Sequence, residues 1–272
     1  MKPRPFDYVR PDTVDEAVAV LAEHGDAARV LAGGQSLLAM LNLRLVMADV
    51  IVDIARIPEL DAIRTLGDQI EVGAAVTQNK LLAWPDLAAK LPLLATALPF
   101  VGHFQTRNKG TVCGSIAHAD PSSEIPLSLA TLEGEVVLRS AKGTRTLAAR
   151  EFQRDMLTTA CEPDELIVAV RFPVRPTRGV AFREVARRHG DFAIIAVAAA
   201  VGAGNTIRLG VGGMAGRPIV RKLAADNIKD TVDTIIAEHE GYDDLHASSA
   251  MRRDMLRNLV PAVIAEAQAC AA

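Results

Sequence analysis

The stretch that most restricts how this chain can fold is Arg29-Val30-Leu31-Ala32, which runs directly into Gly33-Gly34-Gln35-Ser36 and then Leu37-Leu38. A short apolar run closed by two glycines predicts a buried strand, and Ser36 followed by apolar residues to Leu41 predicts a helix start. Two adjacent glycines remove the side chains that would hold a bulky anion away from the backbone N–H groups. Such a turn suits a pyrophosphate, although an ordinary tight turn between strand and helix fits the same residues.

The surrounding pattern repeats this logic. Thr13-Val14-Asp15-Glu16 fits a capping box; Val14, Ala17, Val18 and Leu21 follow at helical spacing, and Gly25 stands where a left-handed cap belongs. Val50-Ile51-Val52-Asp53 reads as a second buried strand, so a small, largely parallel sheet is expected. Further strands are predicted at Gln69–Val72, in a hairpin from Glu135–Arg139 to Thr144–Leu147, and at Leu166–Phe172. Thr77 reads as an N-cap and Leu87–Leu98 as a helix interrupted by Pro92. Pro173 to Gly179 is the expected linker. Beyond it, Val180–Ala186, Ala193–Val201 and Thr206–Gly213 predict an antiparallel meander, with helices at Ile219–Ala225, Ile228–His239 and Leu245–Ala267.

A second small-residue segment spans Asn108 to Glu124 and carries almost no large side chain between Gly110 and Ala119. Its period is not helical, so it reads as a loop. Thr111, Val112, Cys113, Gly114 and Ser115 offer the hydroxyl and free N–H groups that a phosphate needs, while Asp120 and Glu124 offer acceptors for ribose hydroxyls. A solvated Gly/Ser loop is the competing reading; two such segments in one lobe favour a dinucleotide site. Gly210-Val211-Gly212-Gly213-Met214-Ala215 matches G-x-G-x-x-A after a strand. Arg217-Pro218 interrupts before any helix, however, and the context that motif requires is missing.

Composition narrows the class. The 272 residues are 50% hydrophobic and 23% charged, enough to bury roughly 70–75% of the extended-chain surface. A net charge of −3 gives no global attraction to nucleic acid or anionic membranes. The cysteines at 113, 161 and 270 are too scattered for a disulfide framework, an iron–sulfur cluster or a zinc site. No apolar segment follows the basic N-terminus as in a signal peptide, and the longest apolar run, Phe192 to Val201, is about half a membrane span. A cytoplasmic globular protein without membrane insertion is expected. His103, His118 and His189 read as structural, Cys113 as a small buried hydrophobe, and Arg187-Arg188 and Arg252-Arg253 as solvated or interdomain pairs. No nucleophile–base pair suggests a hydrolase.

With these residues in view, the chain resembles the FAD-binding medium subunits of molybdenum hydroxylases of the xanthine dehydrogenase and carbon monoxide dehydrogenase type. The resemblance is carried by Pro5-Phe6-Asp7-Tyr8-Val9-Arg10-Pro11, Ala32 to Leu38, Arg107-Asn108, Thr111 to Ser115, Ala181 to Arg188 and Asp244 to Ser248. It implies an α+β fold: a two-part FAD-binding domain of the PCMH type over 1–175, with sub-lobes of about 1–57 and 58–175. A smaller C-terminal domain with an antiparallel sheet and helices would follow over 176–272. It also implies that the two turns, Leu31 to Leu37 and Thr111 to Ser115, wrap the FAD pyrophosphate. Glu124, closing the second turn, would hold the ribose or ribityl region, and Val101 and Arg183 would approach the flavin. Two positions depart from the family pattern: Cys113 stands where a second glycine is common, and Met251 where an aromatic residue is usual.

The implied function is an electron relay. A small iron–sulfur subunit with two [2Fe-2S] clusters would deliver electrons, this chain's FAD would pass them to an external acceptor, and hydroxylation would occur on a large subunit carrying the molybdenum cofactor. A self-sufficient FAD-dependent oxidase or reductase of the same fold, and a scaffold that has lost its flavin, are the rival readings.

Overall fold

The computed structural model describes residues 2–224 and 227–270. The N-terminal part runs β1 (Asp7–Val9), α1 (Val14–His24), β2 (Ala28–Leu31), α2 (Leu37–Asn42) and β3 (Val50–Asp53). Its sheet is parallel, in the order β1-β3-β2, with Asp7 and Ala28 both opposite Val50. Thr13 caps α1 by accepting from the Glu16 N–H at 3.2 Å, while the Glu16 carboxylate accepts from the Asp12 N–H at 2.8 Å. The capping-box glutamate thus reaches one residue further back than the usual reciprocal bond.

The chain continues through β4 (Ile63–Leu66), β5 (Gln69–Gly73), α3 (Gln78–Leu82), α4 (Leu87–Lys90), α5 (Pro92–Ala97), α6 (Phe104–Arg107), α7 (Val112–His118) and α8 (Glu124–Thr131). Then come β6 (Glu135–Ser140), β7 (Gly143–Ala148), α9 (Ala149–Phe152), β8 (Gln153–Asp155), β9 (Thr158–Thr159) and β10 (Leu166–Pro173). An antiparallel sheet in the order β4-β5-β10-β6-β7 forms from this part, while β8 and β9 make a separate pair. The small-residue segment expected as a loop follows α6, contains α7 and leads into α8. Helical period is absent there because α8 is buried on every side, from Glu124 to Thr131, so no polar face marks it.

After Pro173 the chain is irregular to Arg178, then forms β11 (Gly179–Val185), β12 (Ile195–Val201), β13 (Ile207–Gly212), β14 (Ile219–Leu223), α10 (Ile228–Glu238) and α11 (Ser249–Ala269). Ile219 to Leu223 is therefore an edge strand paired with β13, not the expected helix; Ala225 lies outside the described residues. Its Ile-Val-Arg-Lys-Leu pattern places Ile219 and Leu223 in the core, a spacing shared by helix and strand. The last helix starts at Ser249, four residues later than expected, because the Ser248 hydroxyl caps it by accepting from the Met251 N–H.

The four-stranded sheet β11-β12-β13-β14 is covered on both faces. Along β12, Ile195, Val197, Ala199 and Val201 pack into a core with α10 and α11, while Ala196 and Ala198 pack into the main core with the N-terminal part. Burial on both faces explains why β12 reads as an unbroken apolar run. The glycines of the G-x-G-x-x-A match serve this packing: a Cβ at Gly210 would overlap the Thr131 hydroxyl of α8. Among the described residues no helix is long and apolar enough to cross a membrane.

Arg252, expected with Arg253 as a solvated or interdomain pair, is 1% exposed. It donates to the carbonyls of Tyr242, Ile194 and Gly213 and pairs with Asp244, clasping α11 to the turns that leave the sheet. Replacing it strands these acceptors in the interior. Arg252→Ala is expected to lower the unfolding free energy by roughly 3–5 kcal/mol, read as a fall in the urea midpoint; an unchanged midpoint would show the clasp is not needed.

Candidate functional site

The parallel sheet delivers the first glycine turn and the second sheet delivers the start of α7, and the two meet backbone to backbone. A Cβ on Gly33 would overlap the Lys109 carbonyl oxygen and lie 2.7 Å from Gly110 Cα. At Gly33, then, glycine is demanded by the neighbouring loop and not only by an approaching anion. Gly34 differs: its φ is +71°, a left-handed conformation that favours glycine, and a Cβ there would press on the Leu38 side chain.

The α7 start is stitched in place by α3. The Gln78 N–H donates to the Gly110 carbonyl at 2.8 Å and the Val112 N–H to the Val76 carbonyl at 3.1 Å. Thr111 caps α7 by accepting from the Gly114 N–H at 2.9 Å. Between the two turns lies a cleft of about 790 Å³, within the usual range for small-molecule sites.

Most of the residues singled out in the sequence converge here. Ala32, Gly33, Gly34, Gln35, Ser36 and Leu37 line one wall; Thr111, Cys113, Gly114 and Ser115 line the other, with Val101 and Glu124. Four do not line it. Leu31 turns into a small cluster with Leu41 and Ile51, and Val112 is wholly buried in the main core. Asp120 accepts from the Ser122 N–H at 2.8 Å and closes the turn before α8. Arg183 is on the opposite face of β11, where it pairs with Glu266 of α11 at 2.6 Å. The alternation of strand side chains decides this last placement: Phe182 and Glu184 face the main core side, Arg183 faces α11.

Sequence reasoning missed other wall residues. Gly190, Asp191 and Phe192, from the connection between β11 and β12, form part of the lining, as do Gln78, Cys161 and Glu165. Gly190 has φ +84° and sits so close to the Val101–His103 turn that a Cβ would be 2.6 Å from the His103 ring. The polar Arg188-His189-Gly190-Asp191 turn between two strands was the available signal. The Phe182, Phe100, His189 and His103 rings pack in that order beside it, with successive centroids 5.3–6.4 Å apart.

The site's chemistry is dominated by backbone donors. The N–H groups of Gly33, Gly34, Gln35, Ser36 and Leu37, and that of Cys113, donate to no backbone or side-chain acceptor among the described residues. The Cys113 thiol lies 3.5 Å from the Val72 carbonyl, and burial raises its pKa strongly, which fits a packing role. Glu124, 5% exposed, has its pKa raised to about 7 by burial and by nearby Asp120. Glu184 is raised to about 8 by burial and by Glu124, and its Oε2 is buried without a partner.

Comparison with known proteins agrees with this arrangement. The family profile described as the FAD binding domain in molybdopterin dehydrogenase matches residues 4–175. The 6-hydroxypseudooxynicotine dehydrogenase complex subunit alpha of Paenarthrobacter nicotinovorans is 36% identical, over 98% of this chain and 96% of its own. The carbon monoxide dehydrogenase medium chain of Hydrogenophaga pseudoflava is 38% identical, over 76% of this chain and 73% of its own. A solved structure of carbon monoxide dehydrogenase from that organism, lacking the Mo-pyranopterin moiety of the molybdenum cofactor, superposes with a TM-score of 0.94 at 33% identity and covers 100% of both chains.

Two measurements test the site's physics. Gly33→Ala drives a methyl into the Lys109 carbonyl and is expected to be destabilising by roughly 1–3 kcal/mol, with thermal unfolding as the readout. The raised carboxyls also set a pH dependence. The folded chain keeps protons that the unfolded chain releases above about pH 4.3, so stability declines as pH rises from there toward the folded values and levels off beyond them. Glu184→Gln removes part of that decline. At about 1.4 kcal/mol per pK unit, discounted for partial exposure, the variant is expected to gain about 1–3 kcal/mol on wild type at pH 9 relative to pH 5; a difference that is the same at both pH values would contradict this.

Taken with the site, these matches show that the chain belongs to the family of FAD-binding domains in molybdopterin dehydrogenases, the flavin-carrying medium subunits of multi-subunit molybdenum hydroxylases.

Proposed function

We propose that the cleft holds one noncovalent FAD, with its pyrophosphate between the turn at Ala32 to Leu37 and the turn at Thr111 to Ser115. The observation that carries this reading is the set of unpartnered backbone N–H groups, from Gly33 to Leu37 and at Cys113, on residues that line one cleft. Such donors stabilise a dianionic group without any cationic side chain at the contact. Glu124 is the acceptor available for ribose or ribityl hydroxyls, and Val101 with Phe192 gives the cleft an apolar rim. Bound there, the flavin supplies the exchange between one-electron and two-electron partners. The protein's own part is to orient it, to exclude water with the Gly190–Phe192 segment, and to keep Glu124 ready to hold a proton.

We further infer the division of the chain and of the labour. Residues 1–175 form the FAD-binding domain, with sub-lobes of about 1–57 and 58–175, and 176–272 form the C-terminal domain. A small subunit with two [2Fe-2S] clusters supplies electrons, a large subunit with the molybdenum cofactor carries out the hydroxylation, and an external acceptor takes the electrons from this chain.

Acid precipitation of the yellow protein is expected to release FAD into the supernatant; colour kept on the pellet would show a covalent link. Gly33→Ala, purified as folded protein, is expected to retain little flavin, and normal content would mean the turn does not cradle it. Pull-down from native extract is expected to recover both partner subunits. Recovery of this chain alone, active on an organic substrate, would favour a self-sufficient oxidase.

A further inference from the structure

Arg208 carries buried donors that the fold leaves without acceptors: among the described residues neither its Nε nor its Nη2 has a hydrogen-bond partner. It lies on β13 directly opposite Lys222 of β14, in the row that also carries Val180 and Ala200. Two residues along β13, Gly210 abuts Thr131 at the end of α8, so this row is on the sheet face that meets the main core. Two residues beyond Thr131 stands Glu133. Its carboxylate is held from both sides, by Lys222 Nζ at 2.5 Å and by Arg175 Nη1 of the linker at 3.1 Å.

The charges here do not balance. Arg175, Arg208 and Lys222 share one carboxylate, and no second carboxylate among the described residues pairs with any of them. The carbonyl end of α8 adds a partial negative charge of about half a unit, which still leaves more than one positive charge uncompensated. Burial, then the charge of Arg175, lower the pKa of the Arg208 guanidinium, and Glu133 opposes them. Buried guanidinium donors without acceptors are costly, so the group calls for an acceptor that the chain itself does not supply. Geometry narrows what that acceptor is. Nε and Nη2 form one edge of the guanidinium and present two parallel N–H groups, the fork that matches two oxygens of a single oxyanion. A water molecule or a chloride ion meets that fork at one point only. Arg175 and Lys222 are 42% and 57% exposed, so the cluster opens to solvent on one side.

We propose that Arg208, Lys222 and Arg175 form a binding site for an inorganic tetrahedral dianion of the phosphate or sulfate class. Arg208 supplies the fork, and Lys222 and Arg175 turn part of their pairing from Glu133 to the anion. The ligand ties together the end of α8, the linker and the β13–β14 edge of the C-terminal sheet. None of these side chains lines the cleft, and the site does not depend on the FAD reading.

The test is thermal unfolding of the full chain in potassium phosphate or sulfate against chloride at matched ionic strength, with FAD added throughout so that the cleft is not the variable. Wild type is expected to show a saturable rise in midpoint, roughly 2–5 °C at about ten times the dissociation constant. Arg208→Met is expected to abolish the rise. Arg208→Lys keeps the charge and loses the fork, and is expected to bind phosphate about tenfold more weakly by isothermal titration. In chloride alone Arg208→Met is expected to match or exceed wild type, because an uncompensated charge has gone, whereas in phosphate wild type overtakes it. A midpoint lowered equally in both salts would show a purely structural arginine and overturn the proposal. Lys222→Met, at a well exposed position, carries the same expectation of a lost rise should Arg208→Met fail to fold. A rise that is linear in salt and equal in every variant, the general effect of excluded anions, would also overturn it. So would a saturable rise that survives both substitutions, since the anion would then be bound elsewhere on the chain.

Discussion

The contact between Gly33 and the Lys109–Gly110 backbone is the constraint from which the cleft follows. It joins a turn at the end of a parallel strand to a turn stitched onto the antiparallel sheet, with no side chain between them. Backbone contact at this distance leaves no rotamer to adjust, so the spacing of the two walls is fixed by main-chain geometry. Each wall can then present N–H groups inward at a separation that side-chain packing alone would hold less firmly.

A site built from main-chain donors has a particular electrostatic character. It favours a doubly charged group through oriented dipoles while adding no formal charge of its own. The carboxyl of Glu124 in the cleft wall is held toward its neutral form by burial. The double-faced burial of β12 complements this arrangement. It brings the C-terminal part onto the main core through Ala196 and Ala198, side chains small enough for α8 to approach the sheet closely.

Legibility in the sequence followed local physics. The cap at Thr13, the strand at Val50–Asp53, the Lys142-Gly143 hairpin and the meander after the linker all have local signals, and all are present. The start of α7 was hidden because Thr111 to Ser115 are small and carry no apolar stripe, and α8 because it has no solvent face. For β14, five residues satisfy helix and strand spacing equally, and the hydrogen bonds to β13 decide. Convergence of the two glycine turns in one cleft was legible from composition. The identity of its third side was not, since Gly190–Phe192 reach it through tertiary packing, and the side of β11 on which Arg183 falls depends on register alone.

That third side separates two boundaries that are easily equated. The stretch that matches the FAD-binding family stops at residue 175, yet the cleft is completed by Gly190, Asp191 and Phe192, which follow the linker. The recognisable sequence module is therefore smaller than the compartment it builds. A fragment cut at the module's edge would keep both glycine turns and lose its cover, exposing the cleft to bulk water and to adventitious oxidants. In this architecture the part of the chain after residue 175 supplies a wall of the cleft itself, through the β11–β12 connection, as well as packing beside it.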